Sequence, residues 1–209
     1  RCDMEEKYRN IDIKNEKVLS IINASFEVFA KNDIEKASTN MIVKQAGVSR
    51  GLLYHYFKDK DELFDFLVYY SVRIMVENIE TKLDWKDTDF LRRIQEGIIL
   101  KCEIIDMYPY IIEFLEKYSY RVPREDLKKE VETSSPGLMD RWYNQNLDFS
   151  SVKDGVDIDM MKKTIKSTFS ELVRDRWNIK KTKGIEFKIE EVRSEFAKYD
   201  TFFRNQFYE

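Results

Sequence analysis

An all-α fold is predicted by three observations: few chain breakers, apolar residues recurring at spacings of three and four, and capping residues ahead of those stripes. Six Gly and three Pro in 209 residues amount to roughly 4%, against a usual level of about 12%. That leaves too few turns for a sandwich or barrel. Hydrophobic residues make up 43% of the chain, enough for one or two cores and too many for a disordered polymer. The first helix is expected at about Asn15 to Lys31, where Val18, Ile22, Phe26 and Phe29 form one stripe. Asn32-Asp33 tolerates a left-handed backbone and is expected to end it. Ser38 or Thr39 then caps a short segment with Ile42, Val43 and Ala46 on one side, and Gly47 stops it. Ser49 is placed to cap a helix from Arg50 to Phe57. Asp59 and Glu62 form a D-x-x-E capping box at the head of a long apolar segment, Leu63 to about Leu83.

Two short helices joined by a three-residue turn containing Gly have the sequence form of a helix-turn-helix. Gly47 fits a left-handed position that would cost a side chain about 1 kcal/mol. On the second helix Leu53, Tyr56 and Phe57 are expected to point inward. Arg50, Tyr54 and Lys58 form an i, i+4, i+8 row, with Gly51 and His55 beside it. That face holds a fork able to read a base, groups able to bond phosphate, and a Gly permitting close approach. A recognition helix in a major groove needs such a set. Lys60, next to the N-terminal amides of the following helix, is a candidate phosphate anchor.

Charge distribution supports this reading. The whole chain carries −3, yet residues 36–60 hold five basic groups and one acid, while residues 61–209 hold 25 basic and 30 acidic side chains. A basic module ahead of an acidic body suggests one anion-binding domain attached to something else. Enzyme chemistry finds little support. One histidine, His55, would have to serve any triad, dyad or zinc site. Cys2 and Cys102 offer neither a metal cluster nor a disulfide framework. Glu103, Asp106 and Glu113 are the nearest catalytic candidates, and at helical spacing they read more simply as a solvated face. No catalytic residue, metal or cofactor is therefore expected. No apolar run spans a membrane, and residues 1–4 lack a signal-peptide core, so a cytoplasmic protein is expected.

The stretch Val18–Phe66, with Ala37-Ser38-Thr39, Gln45-Ala46-Gly47-Val48-Ser49 and the run Gly51–Leu63, resembles the DNA-binding domain of TetR-family transcription regulators. The resemblance covers roughly the first third of the chain. It implies that Thr39 caps the first motif helix and touches DNA backbone. It places Arg50, Gly51 and Leu52 at base edges, and Ser49, Tyr54, His55 and Lys60 on phosphates, with Lys58 on the same face. Two positions depart from the family habit: Val43 stands where a small Ala is usual, and Asn32-Asp33 replaces a Gly-containing turn.

Beyond residue 60 the pattern stays helical. Residues 1–60, with a core at 15–60, are expected to form the DNA-binding domain, and residues 61–209 an effector-binding and dimerisation domain. The long helix after Asp59 should bridge them. Phe90, Ile94, Ile98 and Ile105 suggest a helix ending near Met107-Tyr108. Pro109 fits the first turn of another carrying Ile112, Leu115 and Tyr118, and Pro123 opens a third. Ser134-Ser135-Pro136-Gly137 should interrupt that one before Leu138–Leu147. Lys153-Asp154-Gly155 is a loop, and Asp157 or Asp159 caps the next helix.

The last two helices carry strong stripes: Ile158, Met161, Ile165, Phe169 and Leu172, then Ile189, Val192, Phe196, Tyr199, Phe203 and Phe207. The plain alternative is an intramolecular core. The resemblance implies a four-helix dimer bundle, with Ile165, Phe169, Phe196, Tyr199 and Phe203 as interface candidates. It also implies a ligand cavity among the middle helices, for which Phe66, Tyr70, Met107, Tyr108, Phe114, Tyr118 and Trp142 are candidates. Those residues favour an apolar or aromatic effector, and no basic cluster in the middle region stands out for an anionic head group. The expected protein is a homodimer that binds a palindromic double-stranded operator and is released by a small effector. An activator, or a DNA-bound partner-binding protein, is the alternative.

Overall fold

The computed structural model describes residue 8, residues 11–118, residue 121 and residues 124–209. Among them the helices are α1 (Glu16–Lys31), α2 (Thr39–Ala46), α3 (Arg50–Tyr56), α4 (Lys60–Lys82), α5 (Phe90–Met107), α6 (Ile111–Tyr118), α7 (Arg124–Ser134), α8 (Leu138–Tyr143), α9 (Ile158–Lys183) and α10 (Ile189–Phe207). The caps explain their starts. Asn15, Ser38, Ser49 and Asp157 each accept a backbone N–H of the first turn. At α4, Asp59 Oδ1 accepts from Glu62 N at 2.8 Å, while the Glu62 carboxylate takes the amide of Lys58 rather than that of Asp59. Residues 1–4, Cys2 among them, and Pro123 lie outside the described residues.

Some local expectations are corrected. Asn32 ends α1 in an extended conformation, not a left-handed one, because both its backbone N and side-chain Nδ2 donate to the Val28 carbonyl. Ser38, not Thr39, caps α2. On α6 the buried residues are Ile111, Phe114 and Tyr118, one position before the expected Ile112 and Leu115. Helix α8 ends at Tyr143, short of Leu147, and Asn146 adopts φ 53° in the loop that follows.

Contacts divide the chain into two compact units. The first comprises residues 1–76 and 104–136, the second residues 77–103 and 137–209. The expected boundary at residue 60 is therefore not where packing breaks, and the reason is aromatic. Phe26 and Phe29 of α1 meet Phe114 of α6 at 5.3 and 6.3 Å, and Phe64 of α4 meets Tyr118 edge-on at 4.9 Å. Helix α6 also caps α1. Tyr118 Oη donates to the Phe29 and Asn32 carbonyls at 3.1 Å, and Lys117 Nζ to Asn32 O at 2.7 Å. A cation there complements the partial negative charge of the α1 C-terminus. Helix α2 is held to α1 by Gln45 Nε2 donating to Glu27 Oε2 at 2.6 Å, and Lys31 keeps that carboxyl below its ordinary pKa.

The second unit is organised around α5, α9 and α10. Ile94, Ile165, Phe169, Phe196 and Phe203 are buried, with the Phe169 ring 4.7 Å from Phe196 and 5.8 Å from Phe203. Arg93 is buried too, its guanidinium donating to the carbonyls of Trp85, Asp87 and Gln145 and so fastening the segments around α5 and α8. The chain end is tied down: Lys153 N donates to Phe207 O, and Glu209 N to Ser151 O, both at 2.9 Å.

Candidate nucleic-acid interface

The turn between α2 and α3 is made by Gly47 at φ 66°. Its amide reaches Lys44 O, and Val48 N reaches Val43 O at 3.1 Å, closing α2 as a Schellman-type end. Ser49 Oγ then accepts from Leu52 N at 3.2 Å and starts α3. Ile42, Leu53 and Phe57 are buried beneath the motif, and Val43, in place of a small Ala, is only partly covered. Anchored by those residues, α3 has its opposite face in solvent: Ser49, Arg50, Gly51, Tyr54, His55 and Lys58 are all exposed. Leu52 is partly covered, at the edge of that face.

The exposed groups are partly organised already. The Arg50 guanidinium lies 5.6 Å over the Tyr54 ring. The Tyr54 hydroxyl is 3.1 Å from Thr39 Oγ1, and that bond, with Arg50 behind it, holds the phenol below its ordinary pKa. Thr39 thus positions Tyr54 rather than capping α2. Among the described residues the Arg50 fork makes no ion pair and the Lys58 ammonium meets no acceptor. A fork and an ammonium on one helix face, with Gly51 between them, can take guanine edges and phosphate oxygens.

Lys60 departs from the expected arrangement. Its Nζ donates to the carbonyls of Ile34 and Ala37, at 2.5 and 3.0 Å, so it closes the loop before α2 rather than standing free for a phosphate. Lys17 and Ser20 of α1, absent from the expected contacts, line a recess with Gly47, Val48 and Ser49. The period-four stripe of α1 drew attention to its buried side, and these two lie on its exposed one.

The effector candidates do not converge. Phe66, Tyr70, Tyr108, Phe114 and Tyr118 are buried rings of the first unit, packed on one another, with the Tyr70 and Tyr108 hydroxyls 2.5 Å apart. Met107 is 56% exposed and lines a surface groove of about 580 Å³ with Leu19, Ala24 and Tyr110. Trp142 belongs to the second unit. Of the dimer candidates, Ile165, Phe169, Phe196 and Phe203 are each at most 3% exposed within one chain, so they form its own core; only Tyr199 remains at the surface. The enzyme candidates separate as well: Glu103 pairs with Lys82 in the second unit, while Asp106 and Glu113 lie in the first.

Comparison with known proteins agrees with this geometry. Residues 21–66 match the family described as bacterial regulatory proteins, tetR family. A curated relative, the fatty acid metabolism regulator protein of Bacillus subtilis (strain 168), is 24% identical over 163 residues, covering 77% of this chain and 83% of its own. A TetR family transcriptional regulator from Chloroflexus aurantiacus J-10-fl superposes with a TM-score of 0.61 at 18% identity, over 98% of both chains. The Bacillus subtilis regulator FadR, solved in complex with stearoyl-CoA, gives 0.56 at 19% identity over 85% of this chain and 95% of its own. Among the described residues no helix is long and apolar enough to cross a membrane.

Proposed function

From the match of residues 21–66 to the tetR family and the likeness in fold, we propose that this chain is a TetR-type transcriptional regulator, a dimeric repressor released from its operator by a small, largely apolar effector. The observation that carries the DNA half is α3, buried through Leu53 and exposed along Arg50, Gly51, Tyr54, His55 and Lys58. One seven-residue helix buries too little for a specific site, so two copies must read two half-sites. Helix α9 leaves Met160 68% exposed, and α10 leaves Tyr199 and Phe202 exposed three positions apart on one face. Those residues, rather than the buried stripe, support pairing with a second copy.

Release follows from population shift. Helix α6 holds the C-terminus of α1 through Lys117 and Tyr118, so a ligand that moves α6 moves the DNA-binding head. A near-complete switch requires the effector to favour the released state by about 5 kcal/mol. The stearoyl-CoA bound by the Bacillus subtilis regulator makes a long-chain acyl thioester the first compound to try. Fluorescence anisotropy of a labelled operator measures this. Saturating stearoyl-CoA should weaken operator binding at least tenfold. Unchanged binding with stearoyl-CoA and with a panel of other apolar compounds would contradict release by such an effector.

A further inference from the structure

An arginine reads a guanine edge through two parallel hydrogen bonds, and a freely rotating stem spends much of its time elsewhere. Arg50 is restrained. Its guanidinium lies 5.6 Å over the Tyr54 ring, one turn further along the same exposed face. The ring is in turn held at its far end. The Tyr54 hydroxyl stands 3.1 Å from Oγ1 of Thr39, which belongs to α2 and not to α3. Tyr54 is 42% exposed, so packing alone leaves its ring room to swing. The bond to a second helix fixes both of its ends.

Thr39 is itself firmly placed. Ser38 supplies the α2 cap, its Oγ accepting from Met41 N at 3.3 Å, so the helix does not need the Thr39 hydroxyl. The loop leading into α2 is closed by Lys60 at the carbonyls of Ile34 and Ala37. Beneath the motif, Ile42 of α2 and Leu53 of α3 are fully buried and set one helix against the other. The separation of Thr39 and Tyr54 is therefore fixed by the core of the helix-turn-helix, and the contact passes that placement on to Arg50.

We propose that Thr39 is a positioning residue for base recognition: through the Tyr54 hydroxyl it holds the ring on which the Arg50 fork rests, and so sharpens the choice of base at the pair Arg50 meets. The inference rests on the reading of α3 as the helix that meets DNA. It departs from the role of Thr39 and Tyr54 as phosphate contacts. Losing a phosphate contact weakens all duplexes alike, whereas losing a positioning bond changes the ratio between them. An arginine held at one angle favours guanine, whose O6 and N7 accept both arms of the fork.

Fluorescence anisotropy with the full chain tests it on two duplexes: the selected operator, and the same operator changed at the base pair where Arg50→Ala loses its preference. Thr39→Val keeps the side-chain shape and the Ser38 cap and removes the hydroxyl. It should shrink the affinity ratio of the two duplexes about three- to fivefold, the size of one exposed cation–π contact. Thr39→Ser, which keeps the hydroxyl, should retain the wild-type ratio. Tyr54→Phe should match Thr39→Val. In the Arg50→Ala background, Thr39→Val should leave the ratio where it stands. Nuclear magnetic resonance of the free chain supplies an arm without DNA. The Arg50 side-chain protons should carry an upfield ring-current shift that Thr39→Val reduces and Thr39→Ser keeps. Equal losses on both duplexes, a ring-current shift indifferent to Thr39→Val, or a Thr39→Val effect that persists without Arg50 would overturn the proposal. Operator choice altered by Arg50→Ala but not by Thr39→Val would sink the positioning role alone. Operator choice untouched by Arg50→Ala would sink the reading of α3, and this inference with it.

Discussion

At Gly51 the demands of folding and of DNA approach separate. The position is helical and exposed, and a Cβ there would meet only Ser49 Oγ, at 3.9 Å. Replacing a helical glycine by alanine in open space stabilises by about 0.5–1 kcal/mol. Gly51→Ala should therefore raise the melting temperature slightly and weaken operator binding, because the added methyl stands on the exposed face proposed to meet the groove. Parallel thermal and operator-binding measurements check this; unchanged DNA affinity would move Gly51 off the contact surface. Lys60 shows the opposite division. Its two bonds to backbone carbonyls make it a structural cation, so Lys60→Ala should destabilise the first unit by about 1–2 kcal/mol, discounted for partial exposure. The salt dependence of DNA affinity should be unaltered. A salt slope reduced by about one unit at unchanged stability would return Lys60 to a phosphate.

At the scale of the element, α10 decides between core and interface. Phe196 and Phe203 lie seven apart and both face Phe169 inside one chain. Phe203→Glu buries an unpaired charge on top of losing a ring worth about 3–5 kcal/mol, so it should unfold the second unit. Phe202→Glu, at a side chain 57% exposed, should leave the helix content intact and shift the chain toward monomers in sedimentation. A folded monomeric Phe203→Glu, with a dimeric Phe202→Glu, would reverse the assignment. The reason for the misplacement is physical. Periodicity shows that one side of α9 and of α10 is apolar, but a stripe facing its neighbour and a stripe facing a second copy have the same spacing. Caps were legible because they are local: Ser49 reaches an amide three residues on, and Gly47 needs only its own φ. The α6 cap on α1 and the carbonyls around Arg93 join residues far apart in the chain, and no local pattern marks them.

For the whole molecule, function rests on what each compact unit carries. The first holds α3 together with the α6 residues that grip α1, so the helix proposed to read DNA and the one proposed to move it share one core. The second holds the exposed Tyr199 and Phe202, where a second copy is expected. Two copies of α3 demand a two-fold symmetric site. Binding-site selection from random duplexes with the full chain tests this most directly, run beside Arg50→Ala. A palindromic consensus should emerge, its half-sites about one helical turn apart. Arg50→Ala should lose about 1–3 kcal/mol on that site and its preference at one base pair per half-site. No enriched sequence, or an identical consensus from Arg50→Ala, would contradict a regulator that reads DNA through α3.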